Sequence, residues 1–363
     1  EQLRVELGPD ETARIHDRTG ALIHASYLPP RFRWMADNRP DWLRQVVRWV
    51  SVGEVLFWRL FRRWQVSYSV ASWTGLFNRH TLSWDEDWLA YLPIDAGQLS
   101  PPGDINTPLY GLEPEWGSRW PALKAVPWFL AIGDGAAANI GSGCSDPSRL
   151  ALTIGTSGAM RIVMPAASLK QVPPGLWFYR VDSERGLLGG ATTEGGNLYA
   201  WFGETLRLPP ADELEQALAK MAPASHGLTM MPFVAGERAP GWHDYARASI
   251  VGLSLNTSPV DIVRAGLEAI AYRFGQFYSY IVANLADRPA IVAGGGVLNS
   301  PAWLQIFADV LGQPVITLTE KETTSRGVAL LALESLAVID SVSDLPPATG
   351  QIYEPNPEHT EQY

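Results

Sequence analysis

The chain of 363 residues is long enough for two domains, at about 150 residues per domain. Hydrophobic residues make up 46% of it and charged residues 18%, which excludes an intrinsically disordered protein. The formal net charge of −10 argues against nucleic acid and anionic membranes as partners, because both favour a basic surface. A single cysteine, Cys144, excludes a disulfide framework and a site built from several thiolates. No apolar run is long enough to span a membrane.

The front of the chain is rich in tryptophan and has helical spacing. Eleven of the 15 tryptophans lie between Trp34 and Trp128, whereas glycine clusters crowd the part after Gly133. Apolar side chains at residues 43–50 and 56–64 recur with a helical period, which predicts a pair of amphipathic core helices with solvated arginines. The change in composition predicts a domain boundary near residues 141–150.

The rest of the chain alternates strands, glycine turns and helices. Strands are predicted at residues 150–154, 187–188, 290–293 and 314–318. Helices are predicted at residues 197–202, after Ser258-Pro259, after Ser300-Pro301 as far as Gly312, and at residues 327–337. Serine is a favoured N-cap, and proline suits the first helical position. Strand, turn and helix units in series predict an α/β domain.

Three glycine-rich turns follow predicted strands, at residues 155–158, 189–196 and 294–296. Glycine permits close approach and positive φ, so each turn can direct backbone N–H groups at a phosphate. None fits the P-loop or the dinucleotide-binding pattern, so a nucleotide would have to be held in another way.

Ser157 stands in a near match to the nucleophile turn of serine hydrolases, but Ala159 replaces the last glycine of that pattern. A nucleophilic serine also needs a histidine and an acid in reach, and the six histidines form no obvious motif. The hydroxyl and N–H groups of Thr156 suit a phosphate contact better. A serine hydrolase, which would react with a fluorophosphonate at Ser157, stays a third hypothesis.

Asp134 lies between Gly133 and Gly135 after an apolar run, and two interpretations are open for it. It can be the ordinary N-cap of the following helix. It can also be a general base that accepts the proton of an attacking hydroxyl, with room left by the glycines.

His243-Asp244 is interpreted as part of a surface loop, and no protein-bound metal motif occurs. A Mg²⁺ ion carried by nucleotide phosphates would need few protein ligands.

Together these stretches resemble the FGGY family of carbohydrate kinases, over essentially the whole chain. The matching motifs are, in chain order, residues 24–34, residues 68–76, Gly133-Asp134-Gly135, residues 154–157, Gly294-Gly295-Gly296 with Asn299-Ser300, and Glu322 with Gly327. The resemblance implies an α/β fold, the actin-like ATPase (ribonuclease H-like) two-domain kinase fold. Residues 1–143 would be the C-terminal portion of sugar-binding domain I, and residues 144–363 would be nucleotide-binding domain II.

The resemblance also implies roles for single residues. Asp134 corresponds to the catalytic base of the family, and Gly155 and Thr156 correspond to its second phosphate-binding turn. The remaining expected contacts are Gly196, Gly295, Gly296 and Ser300 for the nucleotide, and Ser26, Tyr27 and Trp73 beside the sugar cleft.

The implied function is ATP-dependent phosphorylation of a sugar, sugar acid or polyol, with ATP and Mg²⁺. Gluconate is the favoured substrate, because residues 119–139 and 235–244 are most similar to the family members that act on gluconate. The alternatives are a kinase for xylulose, ribulose or another polyol, and a non-catalytic nucleotide- or sugar-binding truncated paralogue. The expected partners are a small sugar or sugar acid and ATP, with no nucleic acid and no membrane; a homodimer is left open, and a cytoplasmic location is expected.

The sequence departs from the family at its start. Family members begin with a strand and a D-x-G-T-[ST] turn that supplies the first phosphate-binding loop, and no such turn precedes Glu1. The resemblance therefore implies an incomplete first domain that lacks half of the phosphate clamp, which leaves open that this truncated chain is inactive. Sheet edges or apolar surface of domain I would also be left uncovered.

Overall fold

The computed structural model of the protein describes residues 2–363, so that Glu1, the first residue of the predicted first domain, lies outside the described residues. The helices are α1 (Gln2–Thr19, interrupted at Gly8), α2 (Leu28–Asn38), α3 (Pro40–Gln45), α4 (Val52–Phe61), α5 (Tyr68–Ser72), α6 (Glu86–Tyr91), α7 (Pro114–Arg119), α8 (Asp134–Gly141), α9 (Gly196–Thr205), α10 (Ala211–Lys220), α11 (Pro259–Val282), α12 (Pro301–Leu311), α13 (Thr323–Ser335) and α14 (Pro357–Gln362). The strands are β1 (Val66–Ser67), β2 (Phe77–Asn78), β3 (Ser83–Trp84), β4 (Pro102–Gly103), β5 (Arg149–Ile154), β6 (Gly158–Pro165), β7 (Trp177–Arg180), β8 (Arg185–Thr192), β9 (Thr229–Met231), β10 (Ser249–Val251), β11 (Ala290–Gly295), β12 (Val315–Leu318) and β13 (Thr349–Tyr353). No helix among the described residues is long and apolar enough to cross a bilayer.

The chain folds into two compact units that are not contiguous in sequence. Unit 1 contains the chain up to Gly141 together with residues 163–188 and 323–344. Unit 2 contains residues 142–162, 189–322 and 345–363. Two of the boundaries fall inside β6 and β8, so these strands contribute residues to each unit. The division at residues 143 and 144 expected from the sequence stays a prediction.

Unit 2 is built on a largely buried sheet. Its strands lie in the order β13-β12-β11-β5-β6-β8. β11 is parallel to both β5 and β12, whereas β6 is antiparallel to β5 and β13 is antiparallel to β12. Leu150, Leu152 and Ile154 of β5 are fully buried, as expected for a central strand. Because β5 and β11 are parallel, both end at the same edge of the sheet, where Ile154 lies beside Gly295.

The helix signals read from the second half of the sequence are confirmed. Ser258 caps α11 through a reciprocal hydrogen bond with Asp261, and Pro259 is its first residue. Ser300 caps α12, which ends at Gly312 in the left-handed conformation. In both helices, an N-cap serine followed by proline therefore marks the residue at which the helix begins.

The prediction of the first of two helices between residues 43 and 64 is wrong in part. α3 already ends at Gln45, and residues 46–51 are not helical. The backbone there pairs with a distant segment, because the N–H of Trp49 donates to Gln98 O at 2.8 Å and Gln98 Nε2 donates to Val46 O at 2.7 Å. Val47 is consequently 84% exposed instead of lying in a core.

Unit 1 contains a close helix pair, α8 and α13. Two glycines allow the contact: a Cβ on Gly141 would lie 1.8 Å from Thr323 O, and a Cβ on Gly327 would lie 1.8 Å from Ala137 O. No side chain fits against backbone at that distance, so the close packing of α8 against α13 depends on these two glycines. α13 begins at Thr323, earlier than the predicted Gly327.

We predict that Gly327→Ala lowers the free energy of unfolding by about 3 kcal/mol or more, because the methyl group forces two helix backbones apart. Gly203→Ala on α9 is the control, since a Cβ there meets nothing within 4 Å and alanine favours a helix by about 0.5–1 kcal/mol. Urea unfolding of both variants measures the difference. Equal stability of the two variants would contradict the helix contact.

Candidate active site

Three glycine turns meet at one edge of the unit 2 sheet. The turn at residues 155–158 follows β5, Gly195-Gly196 follows β8, and Gly294–Gly296 ends β11. The N–H of Gly196 donates to Gly155 O at 2.7 Å, and the N–H of Asn197 donates to Thr156 O at 3.0 Å. The structure therefore brings together the five turn residues expected to bind a nucleotide, namely Gly155, Thr156, Gly196, Gly295 and Gly296. We call these five residues, together with Ser157 and Gly195, the glycine-turn cluster.

Two positions of the glycine-turn cluster have no space for a side chain. A Cβ on Gly195 would lie 2.8 Å from the carbonyl carbon of Ser157. A Cβ on Gly295, which has a φ of +87°, would lie 2.5 Å from Ile154 O. The turns touch through their backbones, so the shape of one turn is fixed by the other two.

The free hydrogen-bond donors of the cluster belong to Thr156 and Ser157. Both residues are exposed, and among residues 2–363 neither their N–H groups nor their hydroxyls donate to a protein acceptor. The N–H of Gly196, in contrast, is already engaged by Gly155 O. Adjacent outward N–H groups of this kind form an anion-binding concavity. The expectation that Gly196 itself contacts a nucleotide stays a prediction.

Ser300 has local hydrogen-bond partners. Its hydroxyl donates to Glu215 Oε2 at 2.9 Å and accepts the N–H of Trp303 at 3.2 Å. The same Glu215 accepts the N–H of Ala302 at 2.7 Å. Ser300 thus joins the start of α12 to α10, and its contact with a nucleotide stays a prediction.

In unit 1, Asp134 is the exposed first residue of α8. Its Oδ1 accepts the N–H of Gly135 at 2.6 Å, while Oδ2 accepts no hydrogen bond from the described part of the chain. The N–H of Gly133 donates to Ser69 Oγ at 3.1 Å, and Ser67 Oγ donates to Ala131 O at 2.5 Å. Two serines therefore fix the backbone that leads into Asp134, and one carboxylate oxygen is left to accept a proton.

Aromatic side chains lie beside Asp134. A Cβ on Gly133 would lie 2.3 Å from Trp73 Cζ2, so the glycine lets the Trp73 ring pack directly against the backbone. Trp73 is 38% exposed, and its ring centroid lies 6.2 Å from that of Tyr179. The hydroxyl of Tyr179 lies 2.6 Å from that of Tyr27. We call Gly133, Asp134, Trp73, Tyr27 and Tyr179 the Asp134 cluster.

The Asp134 cluster contains two of the three residues expected beside a sugar. Ser26, the third, is exposed, and its hydroxyl hydrogen-bonds to His24 Nδ1 at 3.0 Å. Sequence reasoning missed Tyr179 and Trp177, whose rings stack at 4.5 Å. The alternating aromatic residues of β7 are the signal that could have indicated them.

Unit 2 carries free hydrogen-bond donors for an anion at Thr156 and Ser157. Unit 1 carries the exposed carboxylate of Asp134. Phosphotransferases use both kinds of group. Comparison with known families agrees. The N-terminal domain of the FGGY family of carbohydrate kinases matches residues 6–141, and the C-terminal domain of that family matches residues 150–336. The chain belongs to the FGGY family of carbohydrate kinases.

Individual relatives show the same similarity. The gluconokinase of Bacillus licheniformis is 28% identical over 367 residues, which cover 96% of this chain and 71% of the relative. Structures described as gluconate kinase and ligand-bound xylulose kinase, both from Lactobacillus acidophilus, match with a TM-score of 0.90 at 26% identity. Each match covers 100% of this chain and 74% of the other.

These findings confirm the actin-like two-domain kinase fold and the class of enzyme predicted from the sequence. The protein is a carbohydrate kinase, and its family implies a sugar and ATP as substrates, typically with a divalent metal. Among residues 2–363 no group of three or more His, Cys, Asp or Glu side chains is arranged to hold a metal ion.

We predict that Gly195→Ala weakens MgADP binding about tenfold or more, because a methyl group against Ser157 displaces the free donors by several tenths of an ångström. Gly203→Ala, on helix α9 that follows Gly195 and with open space around it, should bind MgADP like the wild type. Isothermal titration calorimetry compares the two variants. Wild-type affinity in Gly195→Ala would show that the glycine-turn cluster does not hold the nucleotide.

Proposed function

We propose that this kinase transfers the γ-phosphoryl group of ATP to a hydroxyl of a sugar acid, with gluconate as the favoured substrate and Asp134 as the general base. The observation that carries the proposal is the carboxylate of Asp134, exposed at the start of α8 with Oδ2 unengaged. Such an oxygen can accept the proton of the attacking hydroxyl as the new O–P bond forms. The anchored backbone at Gly133 supports this role, because a base acts only where its position is fixed.

The free donors of Thr156 and Ser157 support a phosphate-binding role for the glycine-turn cluster. Preorganised N–H groups stabilise the charge that develops on phosphoryl oxygens during transfer. Mg²⁺ retains several waters and is held chiefly by substrate phosphates, so it does not require a cluster of three protein ligands, and none is found among residues 2–363. When bound, Mg²⁺ would neutralise charge on the transferring group.

Aromatic side chains with one or two polar groups are typical of small-ligand sites, and the Asp134 cluster has that composition. Trp73 offers an exposed ring, and the paired hydroxyls of Tyr27 and Tyr179 offer hydrogen-bonding groups. The preference for gluconate is supported by the gluconokinases among the relatives of this chain. A xylulose kinase among the similar structures makes xylulose the principal competitor.

We predict that ADP release by the chain depends on gluconate more strongly than on xylulose, ribulose or glycerol. Asp134→Asn should lower kcat by about 10²–10⁴-fold, because the amide cannot accept the proton. MgADP affinity should stay near that of the wild type, because Asp134 lies outside the glycine-turn cluster. Asp87→Asn removes an exposed carboxylate of α6 in the same unit and should leave kcat unchanged.

Three outcomes would contradict parts of this proposal. Turnover of Asp134→Asn at the wild-type rate would contradict the role of Asp134. Faster turnover with xylulose than with gluconate would contradict the substrate. Nucleotide binding without turnover on any sugar would favour the non-catalytic alternative.

A further inference from the structure

Two buried carboxylates in unit 2 lie within the electrostatic influence of the Arg273 guanidinium group. Glu194 is 2% exposed and Glu237 is 8% exposed. Arg273 forms an ion pair with Glu237 and also donates to Ala239 O at 3.2 Å. Glu194 Oε1 is buried without a hydrogen-bond partner in the described chain. One cation cannot neutralise two buried anions, so the structure favours one carboxylate in its neutral form.

The segment that carries Glu237 is fixed in place. This loop, residues 235–244, is one of the two stretches on which the expected preference for gluconate rests. The N–H of Ala239 donates to Ala191 O at 3.1 Å, and the N–H of Glu237 donates to His243 O at 2.9 Å. A Cβ on Gly241 would lie 2.2 Å from Glu237 Oε2, so the loop closes tightly around that carboxylate. Arg273 therefore stays with Glu237, and Glu194 is the carboxylate without a full counter-charge.

Burial raises the pKa of Glu194 to about 7, and the charge of Glu237 acts in the same direction. The backbone N–H groups of Glu194 and Ala235 and the charge of Arg273 oppose this change without cancelling it. Glu237, Arg273 and the N–H groups of Glu194 and Ala235 are thus the groups that act on the Glu194 carboxyl besides burial itself.

Glu194 is also close to the free donors of the glycine-turn cluster. It directly precedes Gly195, whose backbone contacts Ser157. One peptide step is about 3.8 Å, which places the Cα of Glu194 within about 10 Å of Ser157. A buried charge at that distance acts through protein, so salt screens it little.

We propose that Glu194 controls the affinity for ATP: its neutral form allows phosphate to bind at Thr156 and Ser157, and its charged form repels the phosphate. The inference rests on the proposed phosphate role of the glycine-turn cluster and adds a positioning residue and a pH dependence to it. Above pH 7 the ionised carboxylate opposes a polyanionic ligand, so affinity falls as the pH rises.

The test is the dissociation constant for MgADP, measured by calorimetry from pH 6 to pH 9 in the 363-residue chain and in Glu194→Gln. Glutamine copies the neutral carboxyl, so the variant should keep its pH 6 affinity throughout. The wild type should lose about tenfold more affinity than the variant by pH 9. Because the phosphates themselves titrate, the difference between the two proteins is the quantity compared. Glu204→Gln, an exposed change on α9, should follow the wild type.

A second measurement reports on the ionisation of Glu194 without a ligand. A carboxyl whose pKa is raised from 4.5 to about 7 by folding destabilises the fold as the pH rises through that window. The melting temperature of Glu194→Gln should therefore rise relative to the wild type between pH 5 and pH 8.

The outcomes separate this inference from the proposed function. MgADP binding with the same pH dependence in the wild type and in Glu194→Gln would overturn the role of Glu194 and leave the function intact. No MgADP binding at any pH in either protein would contradict the function and the inference together. Loss of affinity in Glu194→Gln at pH 6 would show that the residue acts by shape rather than by charge, which also overturns the proposal.

Discussion

The hydrogen bond from the N–H of Gly196 to Gly155 O is the interaction on which the proposed nucleotide site depends. This hydrogen bond engages the N–H of Gly196 and holds the turn after β5 against the start of α9. Gly195 and Gly295 permit the close backbone contact, because neither position has room for a Cβ. With the turn held by three strand ends, Thr156 and Ser157 can leave their own donors unpaired at the surface. The glycines hold the turn in place, and Thr156 and Ser157 carry the donors that we propose for phosphate binding.

The Asp134 cluster follows the same physical logic. Gly133 donates its N–H to Ser69 and lies flat against the Trp73 ring, and the next residue carries the free carboxylate oxygen. α8 is held in turn by the glycine contact with α13. In each cluster a fixed glycine precedes or faces an open polar group, so the group is oriented before any ligand binds. Such preorganisation is what phosphoryl transfer requires of a protein.

Structural features that neighbouring residues determine could be predicted from the sequence. Features that depend on contacts between segments far apart along the chain could not. Glycine turns after apolar strands and the serine caps at Ser258 and Ser300 were recognisable because the neighbouring residues alone determine them. Tyr179 and Glu194 were missed, since their significance depends on Tyr27, Trp73 and Arg273, which are far away along the chain. The false helix at residues 46–50 has the same cause, because Gln98 pairs with that backbone. The roles of Asp134 and of the turn residues rest on family resemblance together with their geometry.

Hydrogen–deuterium exchange with each substrate added separately tests the central claim most directly, that ATP and sugar bind to different, preorganised clusters. MgATP alone should slow exchange at residues 153–158 and 193–198, since the donors of Thr156 and Ser157 become engaged. Gluconate alone should slow exchange at residues 133–137 and leave the turns after β5 and β8 unchanged. Protection of residues 153–158 by gluconate, or no protection there by MgATP, would contradict the account.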